Sequence, residues 1–248
     1  MGMAFIFTPS LPSPYLAITR GGGNHVPLMS LVYKTKALIL SHQPIHEADV
    51  LLTLYTDKQG KVQIQARGAR KIKSKLAGSL QPLTYVELLI ASGRKVDTVT
   101  SSKILNNYSN LRKDLVSLGL VNYIFEIVIK GTHPTSDDKH IFDLLINFLD
   151  FFDRNNSVLD YSQKLLITNW CLLHFFDYLG YAQGDEAFVD MAGVNKMVEV
   201  LSSSDLEDVV KLKHSLPEVV LLNRAINQLA KYIIERDLVS ERFVKAML

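Results

Sequence analysis

Lys58 to Pro82 reads KQGKVQIQARGARKIKSKLAGSLQP, and the fold turns on how this stretch is read. From Lys61 to Arg67 it alternates. Val62, Ile64 and Ala66 fall on one face, and Lys61, Gln63, Gln65 and Arg67 on the other. A period of two is the mark of a strand buried on one side. Asp57-Lys58-Gln59-Gly60, just before it, is a hairpin turn, since glycine takes a positive φ without a Cβ penalty. After Arg67 the alternation stops, and Gly68 to Gly78 reads as a basic loop broken by glycine. The stretch carries seven cations, Lys58, Lys61, Arg67, Arg70, Lys71, Lys73 and Lys75, with no acid before Glu87. Unbalanced positive charge of this kind concentrates phosphate polymers with little regard to sequence.

Working outward, the neighbouring segments are strand-like too. Val32–Leu40 alternates in part, and Val50–Thr56 is an apolar run of strand length. Between them His42–Asp49 is polar and holds Pro44, which predicts a loop. Leu83–Ala91 is a fourth strand, Ser92-Gly93-Arg94-Lys95 a turn, and Val96–Leu105 a fifth strand. Five short strands with no long helix among them predict a small closed or sandwiched β unit.

Beyond Asn107 the period changes from two to between three and four. Leu111, Leu115, Leu118, Val121, Ile124, Phe125 and Val128 predict a helix capped by Ser109 and ended near Gly131. A second, capped by Ser136, carries Ile141, Leu144, Leu145, Phe148 and Phe152. A third runs from about Val158 to Leu179. It is apolar on several faces, which places it at the centre of a bundle. Two short helices follow near 193–201 and 204–213, then a long one at 218–236 and a short one at 240–248.

The net charge of +2 hides an asymmetry. Residues 31–95 carry eleven lysines and arginines against four acids, whereas residues 96–248 carry fifteen against twenty-one. Such a split predicts two units with different partners. The single cysteine, Cys171, excludes an intrachain disulfide framework and a CxxC zinc site, and it sits in an apolar helical pattern as a small core residue. This fits a reducing, cytoplasmic setting. Residues 1–30 are rich in Pro, Gly and Ser and lack a basic signal-peptide start, so they read as a disordered leader, with Met29 as a candidate start. No stretch has the apolar length of a membrane span. There is no P-loop, no GxSxG and no HExxH spacing among the seven histidines. No cofactor and no catalytic residue is expected. Glu47 and Asp49 could suggest metal-dependent hydrolysis, but an acid beside a basic cluster more readily orders that loop, through Arg67 or Arg70. Tyr33, Tyr55 and Tyr85 read as core or pairing residues rather than base-stacking platforms.

Several motifs then coincide in order. They are His46-Glu47-Ala48-Asp49, Leu51-Leu52-Thr53-Leu54-Tyr55-Thr56, Gly60, Ala66-Arg67-Gly68-Ala69-Arg70, Lys73-Ser74-Lys75-Leu76 and Leu80-Gln81-Pro82-Leu83. This series resembles the RecO family of bacterial recombination mediators, strongly over 31–110 and more faintly through the helices. Leu179-Gly180-Tyr181 resembles the helix end that precedes the family's zinc loop, and Leu238–Phe243 its close. Many relatives place four cysteines after the Gly-Tyr; residues 182–218 contain none, so the chain resembles a zinc-free branch. The resemblance implies an α+β chain in two domains: an OB-fold barrel over 31–107, then a helical domain over 108–248 without the zinc module. It implies a non-enzymatic protein that binds single- and double-stranded DNA and anneals complementary strands. It also implies help in placing RecA on strands coated with single-strand-binding protein, contact with that protein's acidic tail, and work with RecR. The competing readings are an OB-type module that binds RNA or acts as a scaffold, and a metal-dependent nuclease built on Glu47 and Asp49.

Overall fold

The computed structural model describes residues 31–134, 138–181, 194–235 and 237–246. The expected leader at 1–30, the Ser136 cap and residues 182–193 after Gly180-Tyr181 lie outside them.

The strands are β1 (Val32–Ile45), β2 (Asp49–Thr56), β3 (Gly60–Ala66), β4 (Thr84–Ala91) and β5 (Thr98–Asn106). They close into a barrel in the order β1-β2-β3-β5-β4. All neighbours are antiparallel except β3 and β5, which meet in parallel at Gln65 and Thr98. This is the OB-type barrel. The alternation in β3 does what the period requires: Ile64 and Ala66 turn into the barrel with Ala37, Ile39, Leu52, Leu54, Val86, Leu88 and Ile90.

One expectation needs correction. His42 to Ile45 is strand rather than loop, with Pro44 opposite Val50. A bulge between Ile39 and Ser41 redirects β1 at this point. Past it, β1 is paired with β2 alone, because its pairing with β4 ends at Ile39. A proline is tolerated on such a free edge, where its missing N–H breaks no ladder.

The helices are α1 (Ser109–Lys113), α2 (Leu115–Gly131), α3 (Lys139–Asn155), α4 (Tyr161–Tyr178), α5 (Asn195–Ser203), α6 (Leu206–Val209), α7 (Leu216–Ile234) and α8 (Glu241–Ala246). The first expected helix is thus two. Asp114 is extended, at φ −113° and ψ 113°. Its carboxylate accepts from the Val116 N–H at 3.0 Å and from the Ser117 hydroxyl at 2.9 Å, and pairs with the Lys164 ammonium of α4. Ser109 does not cap α1. Asp153 of α3 does so from across the bundle, accepting from the Asn110 and Leu111 N–H groups at 2.9 and 3.0 Å.

Helix α4 is central, as its all-round apolarity predicts: it packs on α2, α3, α5, α6 and α7. Cys171 within it is fully buried, and burial pushes its thiol far up. A polar ladder crosses this core from α2 to α7 to α4. The Tyr123 hydroxyl donates to Asn227 at 2.5 Å, the Asn227 amide to Asn223 at 3.1 Å, and the Asn223 amide to Asn169 at 2.8 Å. Buried amides satisfied in this way fix the register of the helices that carry them.

The outer face of the barrel and the helices share a second core. Leu38 and Leu40 of β1, Tyr55 of β2, Leu83 and Tyr108 are buried with α2, α3 and α4 rather than inside the barrel. Tyr85 lies edge-on to Phe142, with ring centroids 6.1 Å apart. Tyr33 donates to Asp97 at 2.7 Å. The four tyrosines near the strands are therefore packing or hydrogen-bonding residues.

Candidate nucleic-acid interface

The basic loop, 67–83, joins β3 to β4 and contains no helix. Its backbone is nonetheless pinned at both ends. Gly68, at φ 64°, turns the chain away from β3. Its N–H donates to one oxygen of Asp49 at 2.8 Å, and the Gln65 amide donates to the other at 2.8 Å. The Gly68 N–H, with Gln65, His46 and Arg67 in support, holds the Asp49 carboxyl below its usual range. The Arg70 N–H donates to the Ala48 carbonyl at 3.0 Å, and its guanidinium to the Glu47 carbonyl at 3.3 Å. The Glu47-Ala48-Asp49 turn therefore orders the loop, as expected, but through backbone groups and not through an ion pair. The guanidinium of Arg67 acts on Asp49 only at a distance and forms no ion pair among the described residues. Among the described residues no group of three or more His, Cys, Asp or Glu side chains is placed to hold a metal ion.

At the return end, Ala69 and Leu80 are buried in the barrel core and Leu76 packs against it. These residues plug the barrel without a helix. The Ser79 hydroxyl meets that of Ser102 on β5 at 2.5 Å. Arg112 of α1 donates to the carbonyls of Pro82 and Leu83 at 2.6 and 2.7 Å and to the Thr84 hydroxyl at 2.9 Å. This holds Leu83 at φ 60°, a conformation that a branched apolar residue seldom takes unaided.

The seven predicted cations separate into three groups. Arg67, Arg70, Lys71, Lys73 and Lys75 are exposed together on the pinned loop, and no acid among the described residues pairs with them. Lys58 is exposed on the β2–β3 turn, at the other end of β3, and donates to the Lys34 carbonyl at 3.4 Å. At the rise of a strand, that is roughly 20 Å from Arg67. Lys61 is committed elsewhere. Its ammonium donates to the Ile129 carbonyl at 2.5 Å and to the Thr132 carbonyl, both at the end of α2. Burial holds it below the usual lysine value.

The structure adds two cations to the five. Arg94 and Lys95 are exposed on the β4–β5 loop. That loop is brought to the same end of the barrel by the Gln65 N–H, which donates to the Asp97 carbonyl at 2.9 Å. The Asp97 carboxylate holds the loop in shape through the Gly93 N–H at 3.1 Å and the Tyr33 hydroxyl. A Cβ on Gly93 would lie 2.0 Å from the Val96 carbonyl oxygen, so only glycine permits this turn. The signal in the sequence was the Arg-Lys pair in a turn. Its proximity to the basic loop depends on the parallel β3–β5 contact, which no local pattern announces.

A second surface feature lies on the helices. A cleft of about 430 Å³ between α4, α5 and α7 is walled by Leu166, Met197, Val200, Leu212 and Leu221. Lys196, Lys213, His214 and Glu218 also line it.

The architecture defines the class: an OB-fold protein with a helical second half and a pinned cationic loop at one end of the barrel. Comparison with known proteins narrows this. Residues 29–108 match the family model described as recombination protein O, N terminal. The chain is similar to the DNA repair protein RecO of Dehalococcoides mccartyi, with 32% identity over 149 residues, covering 60% of this chain and 56% of that one. It is 33% identical over 150 residues to the RecO protein of a Roseiflexus species, covering 60% and 50%. With that of a Cyanothece species the figures are 30% over 154 residues, 62% and 51%. Over its barrel and the first helices the chain is thus similar to RecO proteins. It spans about half the length of the curated relatives it matches.

Proposed function

We propose that the protein is a DNA-binding mediator of recombinational repair. It holds DNA on the loop 67–75 together with Arg94 and Lys95. The observation that supports this reading is the group Arg67, Arg70, Lys71, Lys73 and Lys75, exposed, unpaired with acids among the described residues, and carried on a backbone fixed by Asp49 and Ala48. A flexible lysine tail would lose ordering entropy on binding, whereas a pinned loop has lost most of it already. Cations at this density neutralise phosphates on two strands at once, which lowers their mutual repulsion and lets complementary bases meet. Annealing of this kind needs no nucleotide hydrolysis. In the same reading the protein assists RecA on single strands coated with single-strand-binding protein, together with RecR. The cleft beside Lys196 and Lys213 suits a peptide tail that is acidic with an apolar end.

The test is annealing of complementary oligonucleotides without ATP. Substituting Arg67, Arg70, Lys71, Lys73 and Lys75 together by alanine abolishes acceleration and leaves the circular dichroism spectrum and melting midpoint intact. Each lost phosphate contact flattens the log–log salt dependence of single-strand binding by about 0.7. Unchanged annealing removes the assignment. A preference for RNA, or no nucleic-acid binding at all, would instead favour the RNA-binding or scaffold reading.

A further inference from the structure

Ile72 is the most exposed large hydrophobic side chain among the described residues, at 104% of its reference area. Local folding does not call for it. The Ser74 N–H donates to the Lys71 carbonyl at 2.9 Å, closing a turn with Ile72 and Lys73 at its two central positions. Turns favour Gly, Pro, Asn, Asp and Ser there, and a β-branched residue gains nothing. Nor does the apex swing freely. Before it, the Lys71 N–H bonds to the Gly68 carbonyl at 3.1 Å. After it, the Leu76 N–H bonds to the Ser74 hydroxyl at 3.3 Å. The fold thus presents an isolated apolar tip at a set position, with Lys71 and Lys73 on either side and Arg70 and Lys75 behind.

A partner for this tip has to offer anions and an apolar face together. We propose that Ile72 packs against the face of an unpaired base in single-stranded DNA, while Lys71 and Lys73 hold the phosphates beside it. This rests on the loop being the DNA-binding surface. A single strand presents its base faces without the cost of unstacking a duplex. A lipid surface is a weaker match, since one isoleucine buries too little area for anchorage and no amphipathic helix adjoins it. Contact with the base adds an attraction that salt does not screen. It would also splay the strand at one point, leaving the neighbouring base edges open to a complementary strand.

The experiment compares the full chain with Ile72→Ala and Ile72→Phe. The probes are a labelled mixed-base single strand and an abasic strand of equal length, each at two salt concentrations. Ile72→Ala weakens binding to the base-bearing strand by about tenfold, leaves abasic binding unchanged and keeps the salt slope, since no charge is removed. Ile72→Phe binds the base-bearing strand at least as tightly as the parent. Equal losses on both strands, or no loss on either, overturn the proposal while the loop remains the DNA site. If the parent binds neither strand, the DNA-binding reading falls and this inference with it. An Ile72-dependent affinity for anionic phosphatidylserine vesicles, with unchanged DNA binding, also overturns it.

Discussion

Asp49 fixes the start of the basic loop. Its two oxygens take the Gln65 amide and the Gly68 N–H, and so set where the basic loop leaves the barrel. Removing it should have a counterintuitive result. On charge alone, Asp49→Ala makes the region more cationic and should tighten DNA binding. If the loop works because it is pinned, the same change weakens binding several-fold, since both hydrogen bonds that anchor the loop are lost. Titration of single-strand DNA against the variant separates the two outcomes. The pH dependence follows from the depressed carboxyl. The anchorage is complete above the ordinary aspartate value of 3.8 and is lost as pH falls through the lower folded value. The sequence showed that Glu47 to Asp49 would order the loop. It suggested a guanidinium as the partner because charge is visible in a sequence, whereas a backbone N–H freed by Gly68 at positive φ is not.

Among the elements, α8 is attached most distinctively. Glu126 of α2 accepts from the N–H groups of Val239 and Ser240 at 2.9 and 2.7 Å, from the Ser240 hydroxyl, and from the Lys130 ammonium at 2.5 Å. Burial opposes its ionisation, but these donors, Lys130 first, hold the carboxyl at about 2. A depressed carboxyl stabilises fully above its unfolded value near 4.5, and the contribution is lost as pH falls toward 2. Hydrogen exchange should therefore show residues 238–246 opening between about pH 4 and 2 while α4 stays protected. At neutral pH, Glu126→Gln should loosen the same segment and no other. The Phe243 ring rests on Gly119, where an added Cβ would lie 1.6 Å from Cε1. Gly119→Ala should displace α8 in the same assay, at a cost of roughly 1–3 kcal/mol. Helices α3, α4 and α7 were legible because a repeat of three to four apolar residues is local information. The break at Asp114 was not, since part of its cause, Lys164, lies fifty residues on. The same holds for the α1 cap supplied by Asp153.

At the scale of the whole molecule, Lys61 ties the barrel to the end of α2. Alternation placed it outside the barrel correctly, but the outside at that point is the end of α2 rather than water. Lys61→Met strands two carbonyls and should cost about 1–3 kcal/mol in thermal stability. It should leave the salt slope of DNA binding unaltered, whereas Lys71→Ala should flatten it by about 0.7. The five-strand count and the later helices could be read from period alone. The order in which the barrel closes could not, and that order is what brings Arg94 and Lys95 to the basic loop. The shared core has a practical meaning for anyone cutting the gene. A fragment ended at Asn107 keeps all five strands, yet leaves Leu38, Leu40, Tyr55 and Leu83 with nothing to lie against. Such a barrel should come out of the cell as inclusion bodies, and solubility should return when those four positions are recoded with polar residues.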